Sequence, residues 1–243
     1  MSQPTEHTAP ALARLDDSAF TRVLVVVAHP DDAEYGTSAA VAMWTERNIE
    51  VGYLLVTAGE AGMQRPPFEA RKVRAAEQRQ ACDIVGVKHL TILDFPDGLV
   101  EYGVELRKAI AREIRAFQPD VVVSSAGELQ VAWGLDHADH RAVGLATIDA
   151  VRDAGNQWLF TEQFHEGLTT WQTQTMLLTG TAPTHFVEVS QTGVDNAVAS
   201  LAAHKEYLTD IPEHPVPADF VPQMLAETGR WAGVDYAMAF AAY

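Results

Sequence analysis

Cysteine is nearly absent: Cys82 is the single one in 243 residues. That excludes an internal disulfide framework and a cysteine-built zinc knuckle. Cys82 lies in a helical pattern that stops at Gly86, and it reads as a buried core thiol. Basic residues are scarce as well. The chain has 17 Lys and Arg against 33 Asp and Glu, a net charge of −16. Nucleic acid and anionic membrane need a basic surface, so neither is expected as the principal partner. A neutral small molecule is compatible with this charge, and so is an anion held by a few local arginines. No apolar run approaches the ~20 residues that span a bilayer. Met1 to Asp17 lacks a basic-then-apolar leader pattern. A cytoplasmic location is the expectation. Internal repeats and low-complexity tracts are missing too.

What is present suffices for one sizeable α/β domain, since 47% of the residues are hydrophobic. Residues 1–20 read as a loosely held arm and residues 21–243 as a single domain. Arg22 to Ala28 is a strand with no helical stripe. Glu34 to Arg47 follows as a helix, Val51 to Thr57 as a strand and Phe68 to Val85 as a charged helix. His89 to Phe95 is a short strand, Val104 to Phe117 a helix and Pro119 to Ser125 a strand. Ala126 to Asp139 reads as an irregular loop before a helix over His140 to Asp153. Thr175 to Thr179 and His185 to Val189 are further strands. A helix over Gln191 to Leu208, a Pro-rich loop over Ile211 to Pro217 and a helix from Asp219 to Thr228 complete the pattern. The alternation predicts a Rossmann-like parallel sheet flanked by helices, with a smaller C-terminal layer. The apolar, aromatic tail from Val234 to Tyr243 is a candidate interface for a homo-oligomer.

Two strand ends carry clusters of histidine and aspartate. The first is Ala28-His29-Pro30-Asp31-Asp32-Ala33-Glu34, and the second is His137-Ala138-Asp139-His140. In open α/β sheets ligands collect beyond the carboxyl ends of strands. Pro30 stiffens the first turn. His29 leaves the strand and Asp32 opens the helix, so both can point at one metal ion. His140 supplies a third ligand, and two histidines with one carboxylate form a catalytic zinc set. Asp31 is then free of the metal but beside it, where a general base belongs. His137 is placed to stabilise an oxyanion or to protonate a leaving amine. Asp139 either orients a ligand ring or caps the helix that follows. Glu34 either supports the site or is a first-turn carboxylate favoured by the helix dipole. Trp133 either walls the pocket or packs. His7, His89, His165, His185 and His214 read as structural or surface residues.

These motifs resemble the zinc-dependent N-deacetylases of the LmbE/PIG-L type. That family includes the deacetylases of glycosylphosphatidylinositol, mycothiol and bacillithiol biosynthesis. Its A-H-P-D-D-x-E and H-x-D-H patterns stand at Ala28–Glu34 and His137–His140. Its T-x-G-E-x-G loop stands at Thr57-Ala58-Gly59-Glu60-Ala61-Gly62. Arg74 and Glu77 before Gly86, the turn Pro96-Asp97-Gly98, and Ser200-Leu201-Ala202-Ala203-His204 match further elements. The likeness runs in order from Arg22 to Leu208.

The resemblance implies one Zn2+ per chain on His29, Asp32 and His140, with Asp31 as general base and His137 at the oxyanion. It makes Arg74 and His204 candidate substrate-binding residues. Without it, Arg74 reads as a solvated helix-face residue and His204 as a packed one. Thr37-Ser38-Ala39-Ala40 replaces the family's Gly-Gly-Thr element, and Glu206-Tyr207 stands where Ser-Gln is usual. Substrate shape and the part of His204 therefore stay open. The expected activity is hydrolysis of an N-acetyl group from an amino sugar or its conjugate, releasing acetate and an amine. One alternative is an amidase acting on a larger acyl group of a thiol conjugate or antibiotic. Another is a non-catalytic sugar- or nucleotide-binding Rossmann-like module. A nucleotide site would favour Gly-x-Gly-x-x-Gly after the first strand, where this chain has His29-Pro30-Asp31-Asp32.

Overall fold

The computed structural model describes residues 12–131, 134–211 and 214–243. His7 and Trp133 lie outside them. After the short strand β1 (Ala13–Arg14), the aliphatic run forms β2 (Arg22–Val27), followed by α1 (Asp32–Gly36) and α2 (Ser38–Glu46). Next come β3 (Glu50–Leu55), α3 (Pro67–Ile84), β4 (His89–Ile92), α4 (Val104–Phe117) and β5 (Val121–Ser125). A small antiparallel pair, β6 (Gln130–Val131) and β7 (Gly134–Leu135), precedes α5 (Ala138–Ala154) and α6 (Glu162–His165). The last third holds β8 (Thr175–Thr179), β9 (His185–Glu188), α7 (Gln191–Ala202), α8 (Lys205–Asp210), α9 (Pro217–Ala232) and β10 (Ala237–Ala242).

Eight strands form one sheet in the order β4-β3-β2-β5-β8-β10-β9-β1. The five from β4 to β8 run parallel, and β10 is antiparallel to both its neighbours. After β1 at the far edge the chain crosses to β2, moves outward to β4, then returns to place β5 on the other side of β2. The strand order reverses between β2 and β5, and ligands bind outside such a switch point. β2 is covered on both faces, which explains its unbroken aliphatic run. Val23 and Val25 face a core with α2, α7 and α9, whereas Leu24, Val26 and Ala28 face α4 and α5. The C-terminal helices thus form a layer over α2 and α3, while the C-terminal strands extend the same sheet. No helix among the described residues is long and apolar enough to cross a membrane.

Several boundaries differ from the sequence reading. The helix expected over Glu34 to Arg47 is interrupted at Thr37. The Thr37 and Ser38 hydroxyls donate to the Ala33 and Glu34 carbonyls at 3.0 Å, a pattern that bends helices. The helix expected over Gln191 to Leu208 breaks at Ala203 and His204, where His204 takes a non-helical ψ of 48°. The expected loop before α5 contains the β6–β7 pair. The tail from Val234 to Tyr243 is not a free interface: it supplies β10, paired on both sides, with Phe240 fully buried. The described part of the arm is tied down rather than loose. Its Ala13 and Leu15 amides donate to Thr184 and Phe186 carbonyls at 3.0 and 2.8 Å.

Candidate metal centre

Four loops at the carboxyl ends of β2, β3, β4 and β5 meet around His29. Strand β2 delivers the ring of His29, and the turn after it delivers Asp32. His140 comes from the first turn of α5. His29 Nδ1 lies 3.2 Å from His140 Nε2 and 3.5 Å from Asp32 Oδ2, and His140 Nε2 lies 3.2 Å from Asp32 Oδ1. Ligands of a tetrahedral zinc ion are about 3.3–3.4 Å apart, as bond lengths of ~2.0–2.1 Å require. The three side chains form a group able to hold a metal ion.

The outer ring nitrogens are engaged by carboxylates. His140 Nδ1 is 2.8 Å from Asp136 Oδ1. His29 Nε2 is 3.1 Å from both Asp139 Oδ2 and Asp97 Oδ1. With their outer nitrogens donating, the two rings turn lone pairs towards each other and towards Asp32. That meeting is repulsive unless a cation or protons lie between them. Burial lowers the basicity of both rings, yet the carboxylates, Asp32 foremost, outweigh it. They raise His29 to about 12 and His140 to about 9. The donor set and its surroundings therefore fit a divalent cation.

Asp139 is buried and held from two sides. Gly98 and Val100 amides donate to its two oxygens at 2.7 and 3.1 Å. Asp97, in the Pro96-Asp97-Gly98 turn, accepts from the Ala61 amide at 2.7 Å. Burial raises both carboxyls, but hydrogen bonds from His29 and the backbone hold them below the usual range. His137 rather than Asp139 caps α5: its Nδ1 accepts from the Asp139 amide at 3.2 Å. This leaves the proton of a neutral His137 ring on Nε2. The ring is exposed and stands edge-on to His29, with centroids 5.1 Å apart.

Asp31 diverges from its neighbour Asp32. Its backbone is left-handed, with φ 78°, so consecutive carboxylates serve different places. Asp31 Oδ1 accepts from an Arg74 Nη atom at 2.8 Å. Burial raises the Asp31 carboxyl to about 7, Arg74 opposes the shift and Asp32 adds to it. Arg74 is enclosed rather than solvent-facing. It also donates to the Pro30 and Gly59 carbonyls at 2.6 and 3.2 Å, and stacks 3.7 Å over the Tyr207 ring. A Cβ on Gly59 would fall on this guanidinium. The glycine loop is shaped for Arg74.

Glu34 and His204 are buried together behind the metal cluster, with His204 Nε2 3.4 Å from Glu34 Oε2. Burial lowers the His204 basicity, but Glu34 outweighs it and the net shift is upward. Arg74, Glu34 and His204 thus lie beside or behind the three candidate ligands, each in contact with protein groups. Asp97, Asp136 and Gln78 also belong to the constellation, and sequence reasoning misses them. For Asp136 the available signal is its place four residues before His140. The Pro-Asp-Gly turn suggests a backbone role for Asp97, and its carboxylate turns out to matter as well.

The profile of the PIG-L family, described as GlcNAc-PI de-N-acetylase, matches residues 24–151. The chain belongs to that family. A probable N-acetyl-alpha-D-glucosaminyl L-malate deacetylase 2 from Bacillus anthracis is 33% identical over 137 residues, covering 53% of this chain and 58% of that protein. The diacetylchitobiose deacetylase of Thermococcus kodakarensis is 34% identical over 137 residues, covering 55% and 50%. The chain therefore spans between half and three fifths of these relatives' lengths. In three dimensions it is similar to N,N'-diacetylchitobiose deacetylase from Pyrococcus horikoshii. The TM-score is 0.83 at 22% identity, over 93% of this chain and 85% of that one, which shows the shared fold. The PIG-L match contains the three candidate ligands, Asp31, Arg74 and His137; His204 lies beyond it.

Proposed function

We propose that this PIG-L-family protein is a zinc-dependent N-deacetylase of an N-acetylated amino sugar or its conjugate. The observation that carries the reading is the convergence of His29 Nδ1, His140 Nε2 and Asp32 within 3.5 Å of one another, with Asp31 alongside. His29, Asp32 and His140 would hold the ion. When bound there, zinc supplies Lewis-acid polarisation of the acetyl carbonyl and acidifies water.

The chain's own groups do the rest. Asp31 takes the proton of the attacking water, a task suited to a carboxyl near the working pH. The same proton then passes to the departing nitrogen. His137 donates from Nε2 to the oxygen that gains charge as the carbonyl carbon becomes tetrahedral. Asp136, Asp139 and Asp97 fix ring orientation, which is the usual work of carboxylates behind metal-bound histidines. In this reading Arg74 acts through Asp31 and the Gly59 loop, and His204 acts through Glu34.

The test is amine release by the purified protein from a panel of N-acetylglucosamine, diacetylchitobiose and N-acetylglucosaminyl conjugates, with metal content measured in parallel. Acetate and amine should appear in equal amounts, with one zinc per chain. Turnover confined to longer acyl chains would replace the acetyl assignment with an amidase, and no turnover on any amide would sink the reading.

A further inference from the structure

A buried polar chain lies behind the metal cluster and ends on the backbone of Asp31. Gln78 on α3 is fully buried, as are Ser200 and His204, and Glu34 is 1% exposed. Gln78 Oε1 accepts the Asp31 amide proton at 3.0 Å. Gln78 Nε2 donates to both Glu34 oxygens, at 3.2 and 3.4 Å. Glu34 in turn accepts from the Ser200 hydroxyl at 3.3 Å, and His204 lies 3.4 Å from its other oxygen.

The direction of this chain is fixed by chemistry. A backbone N–H can only donate, so it needs Oε1; a carboxylate can only accept, so it needs Nε2. Glutamine is the side chain of this length that meets both demands. Asp31 has reason to need the clamp. Its φ of 78° lies in the left-handed region that non-glycine residues avoid. That conformation is what separates the Asp31 carboxylate from the metal-facing Asp32. An unmet amide at a buried strained position would favour relaxation of the turn.

We propose that Gln78 is a positioning residue for the base. It locks Asp31 in its left-handed conformation, and Glu34, hydrogen-bonded by Ser200 and faced by His204, locks Gln78. The α3 and α7 helices thereby set where the proton acceptor stands, without touching substrate or metal. The proposal rests on the N-deacetylase reading for its kinetic part and on geometry alone for its structural part.

The test uses Gln78→Met, Gln78→Glu, Glu34→Gln and the double variant Glu34→Gln/Gln78→Glu. Hydrogen exchange across residues 29–35, zinc content, kcat and KM are measured on each. Gln78→Met leaves the Asp31 amide without an acceptor. Its exchange should speed up, and kcat should fall about 10–100-fold with KM within about twofold and zinc retained, as expected for a displaced catalytic group. Gln78→Glu sets two carboxylates face to face and should lose as much. The double variant exchanges the amide and the carboxylate between the two positions. The amide now at position 34 can donate to the carboxylate at position 78, and that carboxylate still accepts the Asp31 N–H. It should recover most of the lost kcat and slow the exchange again.

Unchanged exchange in Gln78→Met overturns the proposal whatever the activity. So does a kcat within twofold of the parent, loss of zinc together with activity, or a double variant as poor as the product of its singles. If Gln78→Met does not fold, the swapped pair decides the matter by the same measurements. An unmodified protein inactive on every amide would defeat the N-deacetylase reading, and the exchange measurements would still decide the clamp.

Discussion

His29 Nδ1 and His140 Nε2 stand 3.2 Å apart, while the other nitrogen of each ring rests against an aspartate. One ring leaves the end of β2 and the other the first turn of α5, 111 residues later. Carboxylates outside the candidate ligand set take the outer nitrogens, which turns the inner nitrogens of the two rings towards each other. The orientation of each ring is decided from behind.

Asp136 is the most direct test of that arrangement. Its Oδ1 lies 2.8 Å from His140 Nδ1 and also accepts the His137 amide at 2.9 Å. Asp136→Asn should weaken zinc affinity roughly 10–100-fold, the usual cost of losing a carboxylate behind a ligand. Competition with a chromogenic chelator reads this out. Unaltered affinity would mean that the α5 backbone alone fixes His140.

Asp31→Asn should keep zinc and lose turnover by about 10²-fold or more, since a general base contributes roughly 10²–10⁴. The variant also loses the charged partner of Arg74, so a melting curve belongs beside the kinetics. If zinc leaves with the activity, Asp31 is a ligand rather than a base.

The sheet and the three candidate ligands are legible in the sequence because they rest on local signals. β2 is an unbroken aliphatic run, and His29 and His140 sit directly at element ends. Asp97 and Gln78 are not legible. Asp97 reaches His29 only because β4 lies two strands away from β2 in the sheet, an adjacency no local pattern encodes. Gln78 looks like any polar residue in a charged helix until α7 and α1 are packed over it. The arm and the tail mislead for the same reason. β1 has two residues and β10 is an alanine-rich run, and each pairs with β9, which arrives late in the chain.

The arm offers a pH test remote from the metal. Asp17 accepts from Trp44 Nε1 at 3.0 Å and from Arg47 Nη1 at 2.8 Å. Burial raises its carboxyl, but Arg47 and Trp44 outweigh this and hold it below 3.8. A lowered carboxyl stabilises the fold above its unfolded pKa, and that contribution fades as pH falls through the folded value. Asp17→Asn should therefore lower the melting temperature near pH 7, by a cost of about 1 kcal/mol for this partly exposed pair. The gap between variant and parent should shrink below about pH 4. A gap independent of pH would mean that the charge of Asp17 plays no part.

His137 has two separable duties, since it caps α5 and stands beside the candidate ligands. His137→Ala removes both. His137→Asn keeps a good capping residue, worth about 1 kcal/mol, and removes only the ring. Melting should be restored in the asparagine variant while kcat stays down by roughly 10²–10³-fold, the scale for one oxyanion donor. Recovery of kcat together with stability would reduce His137 to a cap.

Arg74 separates two readings of one guanidinium. The family resemblance offers it as a substrate contact, whereas both its Nη atoms donate to Pro30, Asp31 and Gly59, with Tyr207 covering its face. Arg74→Lys keeps the charge but cannot reproduce a planar fork towards three acceptors. Losing those buried hydrogen bonds should cost about 1–3 kcal/mol, a fall in melting temperature of roughly 2–12 °C for a chain of this size. The Asp31 carboxylate and the Gly59 loop would both lose their fixed partner. We therefore expect kcat to fall by about tenfold or more while KM moves little, because the displaced group acts on the transition state. Steady-state kinetics on an acetylated amino sugar, run beside the melting curve, gives both numbers. A raised KM with kcat and melting unchanged would return Arg74 to the substrate and remove it from the brace.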